Sequence, residues 1–475
     1  MKRIFLLLLW LGLQIFGFAQ EYGGASDYFG SVLENLNWDG YFYSDDRFGV
    51  TSPNKKMMFQ EYRLSLKPSV KTRRTAFSSE IWVRSMPGGS ITSYTQLSDR
   101  KKTFLTDVEL REAWFEVYDI FAKGLDLRIG KQRIAWGTAD RLNPTDNINP
   151  YDLEDIWDFG RHLSSNSAKL TYYKNNFYVS GVFVPAFSPS AAPDMEWMSA
   201  FMPEFSMPDE YDFNGINYKL INKSFDDFLL MPDKTIKKSS TMGLRTGLNI
   251  GSFNLSASFA HSFDVMPSPS KAHLTDVERV QDKNILSYNL DVELKYPRMN
   301  ILGFDFAGSL ATVGVWGEAA LFFPEIIQMA VDMRYMGLNI RVMDSTVIDN
   351  KPYLKYVLGL DYTFPHNIYA NFQYLHGFFH ENGTAGLNDY FVLAADWKVF
   401  QEKLKISPFN FCIQVNDWSD LSNEYAWILL PEVTYQPAGG VELTAGARII
   451  NGTGSTMFGK LKDKDHVLLK CKISF

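Results

Sequence analysis

The sequence is poor in the groups that build metal centres and covalent scaffolds. Of 475 residues only Cys412 and Cys471 are cysteine and seven are histidine. Two thiols cannot form a disulfide framework or a thiolate zinc module. The histidines are scattered, and no nucleophile elbow of the G-x-S-x-G type occurs, so no catalytic residue, metal site or cofactor is expected. Positive charge is not in excess either. Lys+Arg total 47 against Asp+Glu 54, a net charge of -7, which argues against a nucleic-acid partner. Past the first twenty residues no stretch approaches the ~18 uninterrupted apolar residues of a spanning helix. Disorder is excluded by an apolar share of 46%.

The N-terminus is read as an export signal. Lys2 and Arg3 precede an apolar run from Ile4 to Phe16, and Gly17-Phe18-Ala19 offers a small-x-small cleavage site. Residues 1–19 are therefore expected to be removed. The loss of two bases and no acid takes the net charge from -7 to -9.

Beyond Asn37 the dominant period is two. Tyr62, Leu64 and Leu66 alternate with Glu61, Arg63, Ser65 and Lys67; Ala113, Phe115 and Val117 alternate with Glu112, Trp114 and Glu116. Leu125, Leu127 and Ile129 alternate with Asp126, Arg128 and Gly130, and the pattern returns at Phe253, Leu255, Ala257 and Phe259. Each segment thus has one apolar and one polar face. A soluble sandwich alternates too, but many of these runs are near the ~9–11 residues that cross a bilayer at a tilt. Tight turns at Gly251-Ser252 and Pro365-His366-Asn367 alternate with excursions over 137–165, 188–238, 266–284 and 451–465. Aromatic clusters at Tyr41, Phe42 and Tyr43, at Tyr172 and Tyr173, and at Phe322 and Phe323 suggest interfacial girdles.

The expected fold is all-β: a transmembrane antiparallel β-barrel of about 18 strands (range ~16–20), with short periplasmic turns and long outer loops. Residues 20–475 make a single barrel in this reading. Nineteen candidate strands can be drawn, including 36–44, 285–296 and 424–435; barrels normally need an even number, so one is misassigned. The weakest is 36–44, and 331–342, left out, is a further candidate. The last strand alternates Val467, Leu469, Cys471, Ile473 and Phe475 against His466, Leu468, Lys470, Lys472 and Ser474. An alternating strand ending on Phe resembles the signal that barrel-assembly machinery reads in bacterial outer-membrane proteins. Cys412 falls on the polar face of its strand and Cys471 on the lipid face, so two free thiols are expected.

The run Arg128-Ile129-Gly130-Lys131-Gln132-Arg133-Ile134-Ala135-Trp136-Gly137, continued by Asn143-Pro144-Thr145-Asp146 and Asn149-Pro150-Tyr151-Asp152, resembles a broad porin-like family. That family is the domain-of-unknown-function 1302 group, similar in style to alginate-export barrels. The tract from Pro297 and Arg298 through Gly303, Asp305, Trp316 and Glu318 is similar to it too. The resemblance implies a barrel and transport, and implies no substrate.

The polar faces supply a pore lining: Glu61, Arg63, Lys67, Glu80, Arg84, Glu112, Glu116, Asp126, Arg128 and Gln132. Opposed charges there either set solute preference or pair into a passive wall. The excursion after Trp136 is the candidate constriction, with Asn143, Asp146, Asn149 and Asp152 as its polar groups. The 188–238 excursion carries Met195, Trp197, Met198, Phe201, Met202, Phe205, Met207, Phe225, Phe228, Leu229, Leu230 and Met231, which need cover. These readings point to a channel in the bacterial outer membrane for small solutes. The alternative is uptake of hydrophobic molecules in the manner of FadL, with a barrel enzyme or adhesin behind it. Partners implied are outer-membrane lipid, the assembly machinery and a small solute, with a lipoprotein lid or a homo-oligomer left open.

Overall fold

The alternating segments close into a barrel. The computed structural model describes residues 36–86, 105–193, 195–198, 200–201, 209–213, 215–280, 284–335 and 337–475. The export signal at 1–19, and Met202, Phe205 and Met207, lie outside the described residues. Strands β1 (Leu36–Gly49), β2 (Met57–Lys71), β3 (Thr75–Met86), β4 (Leu105–Val117), β5 (Leu125–Gln132), β6 (Ser165–Lys174) and β7 (Phe177–Val184) pair antiparallel in sequence order. The chain then leaves the wall for β8 (Glu210–Phe213) and β9 (Ile216–Leu230), and re-enters it as β10 (Thr241–Ile250) and β11 (Phe253–Phe263). It leaves again for β12 (Ser268–Arg279) and β13 (Ile285–Lys295), returning as β14 (Arg298–Leu310) and β15 (Val313–Pro324). After β16 (Ile327–Tyr335) and β17 (Leu338–Ile348), the wall is completed by β18 (Tyr353–Phe364), β19 (Ile368–His376), β20 (Asp389–Val399), β21 (Leu404–Val415), β22 (Tyr425–Leu429), β23 (Glu432–Tyr435), β24 (Val441–Gly452) and β25 (His466–Ser474). Antiparallel pairing of β25 with β1, from Tyr41↔Ser474 to Gly49↔His466, closes the ring.

The wall sheet counts 19 segments but 18 staves. β22 and β23 both pair with β21 on one side and β24 on the other, so they are two halves of one stave broken at Leu430-Pro431. Proline has no N–H for the ladder, and a central strand is interrupted where it sits. The expected count of eighteen is correct and the doubted strand is not the one to drop. Residues 36–44 lie in β1, which closes the barrel. The strand outside the wall is 285–296, now β13, and 331–342 falls in β16 and β17, also outside it.

These extra strands form a six-stranded sheet in the order β17-β16-β12-β13-β9-β8. It arises from three successive excursions at the long-loop rim and mixes antiparallel hairpins with the parallel pairs β12–β16 and β13–β9. Leu274, Leu286, Tyr288, Val292, Val331 and Met333 give it a core of its own. Residues 188–238, read as a loop, therefore contain two strands. Their apolar groups divide: Phe201 is buried in the lumen, whereas Phe225, Phe228 and Leu230 are exposed on β9.

The two faces of the wall differ as the period of two requires. Leu244, Phe304, Leu358 and Leu469 point outward at 52%, 48%, 50% and 59% exposure, while their neighbours Arg245, Asp305, Val357 and Leu468 are buried within. Fully burying such a side chain is worth about 1.5–3 kcal/mol, so a ring of them left in water is untenable and lipid is the natural cover. No helix among the described residues is long and apolar enough to cross a membrane. Strands that satisfy one another's backbone in a closed ring need none. The aromatic clusters split by the same parity: Phe42 faces out, but Tyr41 and Tyr43 lie under Arg63 in the lumen, and Phe322 is buried against Tyr353. Cys412 packs against the lumen core and Cys471 does not; both are free thiols.

Closure rests on a close approach at Gly40. Its N–H donates to Phe475 O and its carbonyl accepts from Phe475 N, each at 3.0 Å. A Cβ there would lie 2.6 Å from Ser65 O and 2.7 Å from the Phe475 ring. Gly40→Val is expected to lower the yield of heat-resistant folded barrel on denaturing gels, by overpacking worth about 1–3 kcal/mol. Unchanged yield would show that the terminal ring can move aside.

Candidate functional site: a loop clamped across the lumen

The connection from β5 to β6, residues 133–164, turns inward. Its base is tied by Asn149: Oδ1 accepts from Ile134 N at 2.6 Å and Arg133 Nη1 at 3.2 Å, and Nδ2 donates to Ser165 Oγ at 3.1 Å. Asp146 accepts both guanidinium nitrogens of Arg133. These two groups fix the loop's own neck. Trp136 is buried against Ile148, Val182, Ile301 and Phe322 on the inner wall.

Three arginines of the neighbouring staves on the β5 side hold the far end. Arg47 of β1 donates to both Asp155 oxygens at 2.7 and 2.5 Å, and also to Asp45 of its own strand. Arg84 of β3 meets Glu154 at 2.5 Å, and Arg111 of β4 meets Asp152 at 2.9 Å. Arg161, within the loop, takes the other Asp152 oxygen at 2.9 Å. Burial would raise both aspartates, but Arg47 outweighs it at Asp155, as Arg161 and Arg111 do at Asp152, so both carboxyls are held below the usual range. A fork of donors matching two carboxylate oxygens fixes direction as well as charge.

Glu318 of β15 clamps the loop without a cation. Its carboxylate accepts from Thr138 N, Ala139 N (2.5 Å), Asn143 Nδ2 (2.7 Å) and Thr145 Oγ1 (2.8 Å). Gly137, at φ +91°, lets the backbone come this near; a Cβ would collide with the carboxylate. Glu318→Ala leaves these donors unsatisfied, at about 1–3 kcal/mol for each one that water does not recover. The expected result is faster protease cleavage between Thr138 and Thr145 in folded barrels. Cleavage at the wild-type rate would count against the clamp.

Apolar contacts complete the crossing. Leu153, Ile156 and Trp157 pack with Leu375, Tyr390, Ile428, Ile450 and Phe458 from the wall and its loops. Trp157 also meets Trp197 edge-on at 6.1 Å, and Tyr151 stacks on Phe379 at 4.8 Å. The loop is thus held from both sides of the barrel rather than hanging at one edge.

The lining residues sort into three uses. Glu61 pairs with Arg63 at 3.2 Å, Lys67 with Glu80 at 3.1 Å, and Arg128 with Glu116 at 2.9 Å, making a self-paired wall. Trp82 lies 4.0 Å from Arg63, and Trp114 lies 3.9 Å from Arg128, so these guanidinium planes are further restrained. Arg84 and Glu112 serve the loop, the latter accepting from Arg133 N at 3.2 Å and Ser164 Oγ at 3.3 Å. Asp126 caps Asp119 N in the short turn at the other end, and Gln132 is buried against Ser167 O. Sequence reasoning passed over Arg47 and Arg111. Parity marks Arg47 as inward; Arg111 has the parity of Ala113 and Phe115 and turns inward only because a bulge at that point shifts the register against β3, and nothing local reveals partners 108 and 41 residues away. His376 and His380, four apart, do not converge: His376 bonds Asp389 at 2.7 Å, while His380 is packed among Phe201, Phe378 and Phe379.

Residues 43–160 match the family model described as a protein of unknown function, DUF1302. The matched stretch contains both sides of the clamp, from Arg47, Arg84 and Arg111 to Asp152, Glu154 and Asp155. No curated protein matches the chain. Among solved structures, OccK11 (OpdR) of Pseudomonas aeruginosa is similar at 9% identity and a TM-score of 0.47, covering 93% of this chain and 96% of that one. OmpF of Salmonella typhi, solved with daunomycin, gives 8% and 0.40 over 93% and 97%. OmpT of Vibrio cholerae gives 10% and 0.38 over 93% and 99%.

Proposed function

We propose that this chain is an outer-membrane channel that passes small solutes around a loop clamped across its lumen. The supporting observation is one wall with two solvents: apolar side chains outward, and charged, hydrogen-bonded ones inward. An eighteen-stave ring is wide enough that side chains of the wall alone do not fill it. Here the 133–164 loop occupies the middle, and the polar groups beside it set what passes. Short turns such as 175–176 and 311–312 lie at the periplasmic end, and the long excursions with their second sheet lie outside.

Planar-bilayer recording of the purified barrel tests the proposal, with discrete, ohmic open-channel current as the expected result. Absence of any current across repeated insertions would remove the channel reading. Because most lining charges are paired, the channel should discriminate weakly between small cations and anions, by less than about tenfold in permeability. The reversal potential in a salt gradient measures this. The exposed β9 residues Phe225, Phe228 and Leu230 favour a second reading, in which a greasy solute is first collected on the outer sheet. Replacing all three with serine separates the two, since only that reading expects slower uptake of apolar solutes at unchanged ionic current.

A further inference from the structure

At the long-loop rim, the hairpin from β1 to β2 is folded tightly and held down. Gly49 N donates to Lys56 O at 2.9 Å, and Lys56 N donates to Asn54 O at 2.8 Å. A Cβ on Gly49 would collide with Asn54 O, so this close approach needs glycine. The tip leans on the segment before β25. Val50 N donates to Asp465 O at 2.9 Å, Thr51 Oγ1 to Asp465 Oδ2 at 3.0 Å, and Asn54 Nδ2 to Asp463 O at 2.9 Å. Along this hairpin lies an open groove of about 420 Å³, lined by Phe48, Gly49, Val50, Lys55, Lys56 and Met57.

The depth of the groove follows from the outward face of β1. Trp38, Phe42 and Phe48 are exposed on that face, and Asp46 shares it. Asp46 accepts from Gln60 Nε2 at 2.7 Å and from Tyr62 OH at 3.2 Å. A carboxylate facing hydrocarbon is costly, so the apolar phase ends near Asp46 and the groove just beyond it lies at headgroup depth. The lining is mixed to match. Phe48, Val50 and Met57 leave apolar surface open, at 42%, 49% and 42% exposure. Lys55 and Lys56 are exposed beside them, and Lys55 forms no ion pair among the described residues. Asp46 and Asp465, the acids beside the hairpin, are already occupied by donors of their own.

We propose that this groove seats a phosphorylated lipid of the outer leaflet, with a phosphomonoester at Lys55 and Lys56 and the root of an acyl chain on Phe48, Val50 and Met57. A phosphomonoester carries about −1.5 to −2 charge at neutral pH, which two adjacent ammonium groups match better than they match a singly charged phosphodiester. The apolar lining continues the lipid-facing surface of β1, so the chain passes from groove to bilayer without crossing water. Free phosphate would engage the lysines and leave the three apolar side chains uncovered. The volume lies in the range of small-molecule sites, about 300–1,000 Å³. The inference takes from the channel reading only the outward placement of the long excursions, and it needs no conduction.

Native mass spectrometry of the mature barrel in detergent, titrated with lipid A, tests it. Lipid A that keeps its phosphates is expected to bind. The same lipid after phosphatase treatment, phosphatidylglycerol and inorganic phosphate should each bind about tenfold more weakly or worse. Lys55→Ala with Lys56→Ala should weaken lipid A by about tenfold or more, and Phe48→Ser with Met57→Ser by a similar factor. Lys237→Ala with Lys238→Ala, a pair of exposed lysines before β10, is the control and should leave binding unchanged. An equal loss in that control overturns the inference, as does equal binding of the dephosphorylated lipid or of phosphatidylglycerol. A dimer that lipid A does not displace, and that Phe48→Ser with Met57→Ser abolishes, would assign the groove to a second copy and overturn it too. The four probes on the unsubstituted barrel decide the matter even where a variant fails to fold. Bilayer current from the same preparation keeps the two proposals apart: current without lipid A binding sinks this one, and binding without current sinks the channel.

Discussion

Arg47→Met frees the loop, and the fraction of time spent in a high-conductance state rises by about two orders of magnitude. The guanidinium bridges Asp45 and Asp155 at 2.6 and 2.5 Å, with side chains 4%, 1% and 10% exposed for Arg47, Asp45 and Asp155. Removing it leaves two buried carboxylates facing each other, with Lys470, 3.8 Å from Asp45, and Arg161 as the cations still acting on them. Truncating one member of a buried pair costs about 3–5 kcal/mol, because the stranded charge is not rehydrated. Undocking the loop returns Asp155 to water, so this cost falls on the docked state and shifts its equilibrium by ~10²–10³. Arg47→Lys keeps the charge and loses the fork, and should fall between the two. Asp155→Asn reports the same contact from the other side. Single-channel recording gives the open fraction, and a protease acting on residues 150–160 reports undocking independently. If conductance and cleavage both stay at wild-type levels in Arg47→Met, the apolar half of the loop holds it unaided.

Much of this fold is legible from a period of two, and the places where it misleads share one cause. Leu286, Tyr288, Leu290 and Val292 alternate as a barrel stave would, because any sheet with one covered face imposes that pattern. In the barrel the apolar face is covered by lipid; in β13 it is covered by the second sheet's own core. Periodicity identifies a strand and its two faces, not the sheet it joins. Pro431 shows the converse. Residues 424–435 read as one strand, and the proline breaks it into two without changing the stave count.

The site divides along similar lines. The loop's acids and its Asn-Pro turns are visible because they are local, and the tract around Glu318 stands out by resemblance. What holds the loop is not local. Arg47 and Asp155 are brought together by the run of pairings from β1 to β5 and the inward turn of the loop, and Glu318 and Thr138, 180 residues apart, meet across the lumen. Trp197, Phe201 and Phe228 illustrate the same limit for apolar groups. They come from one Met- and Phe-rich segment, yet the first two pack in the lumen and the third stays exposed. Composition registers that such residues need cover and does not say which of them receive it.

Acid should loosen the plug between about pH 6.5 and pH 4, and the cause lies in buried histidines packed on and around the loop, His162 and His380 foremost, rather than in the arginine clamp. Burial lowers His162 and His380 from 6.5 to about 4 each. His162 sits in the loop against the Tyr151 ring at 4.1 Å, with its Nδ1 at Gly160 O; His380 lies among Phe201, Phe378 and Phe379. Such a group favours the packed state while neutral. Its stabilisation is complete above the unfolded value and is lost as pH falls toward the folded one, because the opened state binds the proton more tightly. Each shift is worth roughly 3 kcal/mol across that window. Asp264 works the other way: raised from 3.8 to about 6, it favours the packed state when protonated and offsets most of one histidine. Asp152 and Asp155 contribute nothing there, since their carboxyls are held below the usual value of 3.8 and stay ionised until more acid conditions. Protease sensitivity of the loop should therefore climb with a midpoint near pH 5. His162→Gln together with His380→Gln should make the profile shallower while leaving the clamp intact, and His466, packed on Trp157 at 5.6 Å, carries the remainder. A midpoint unmoved in the double variant would assign the acid response to another group.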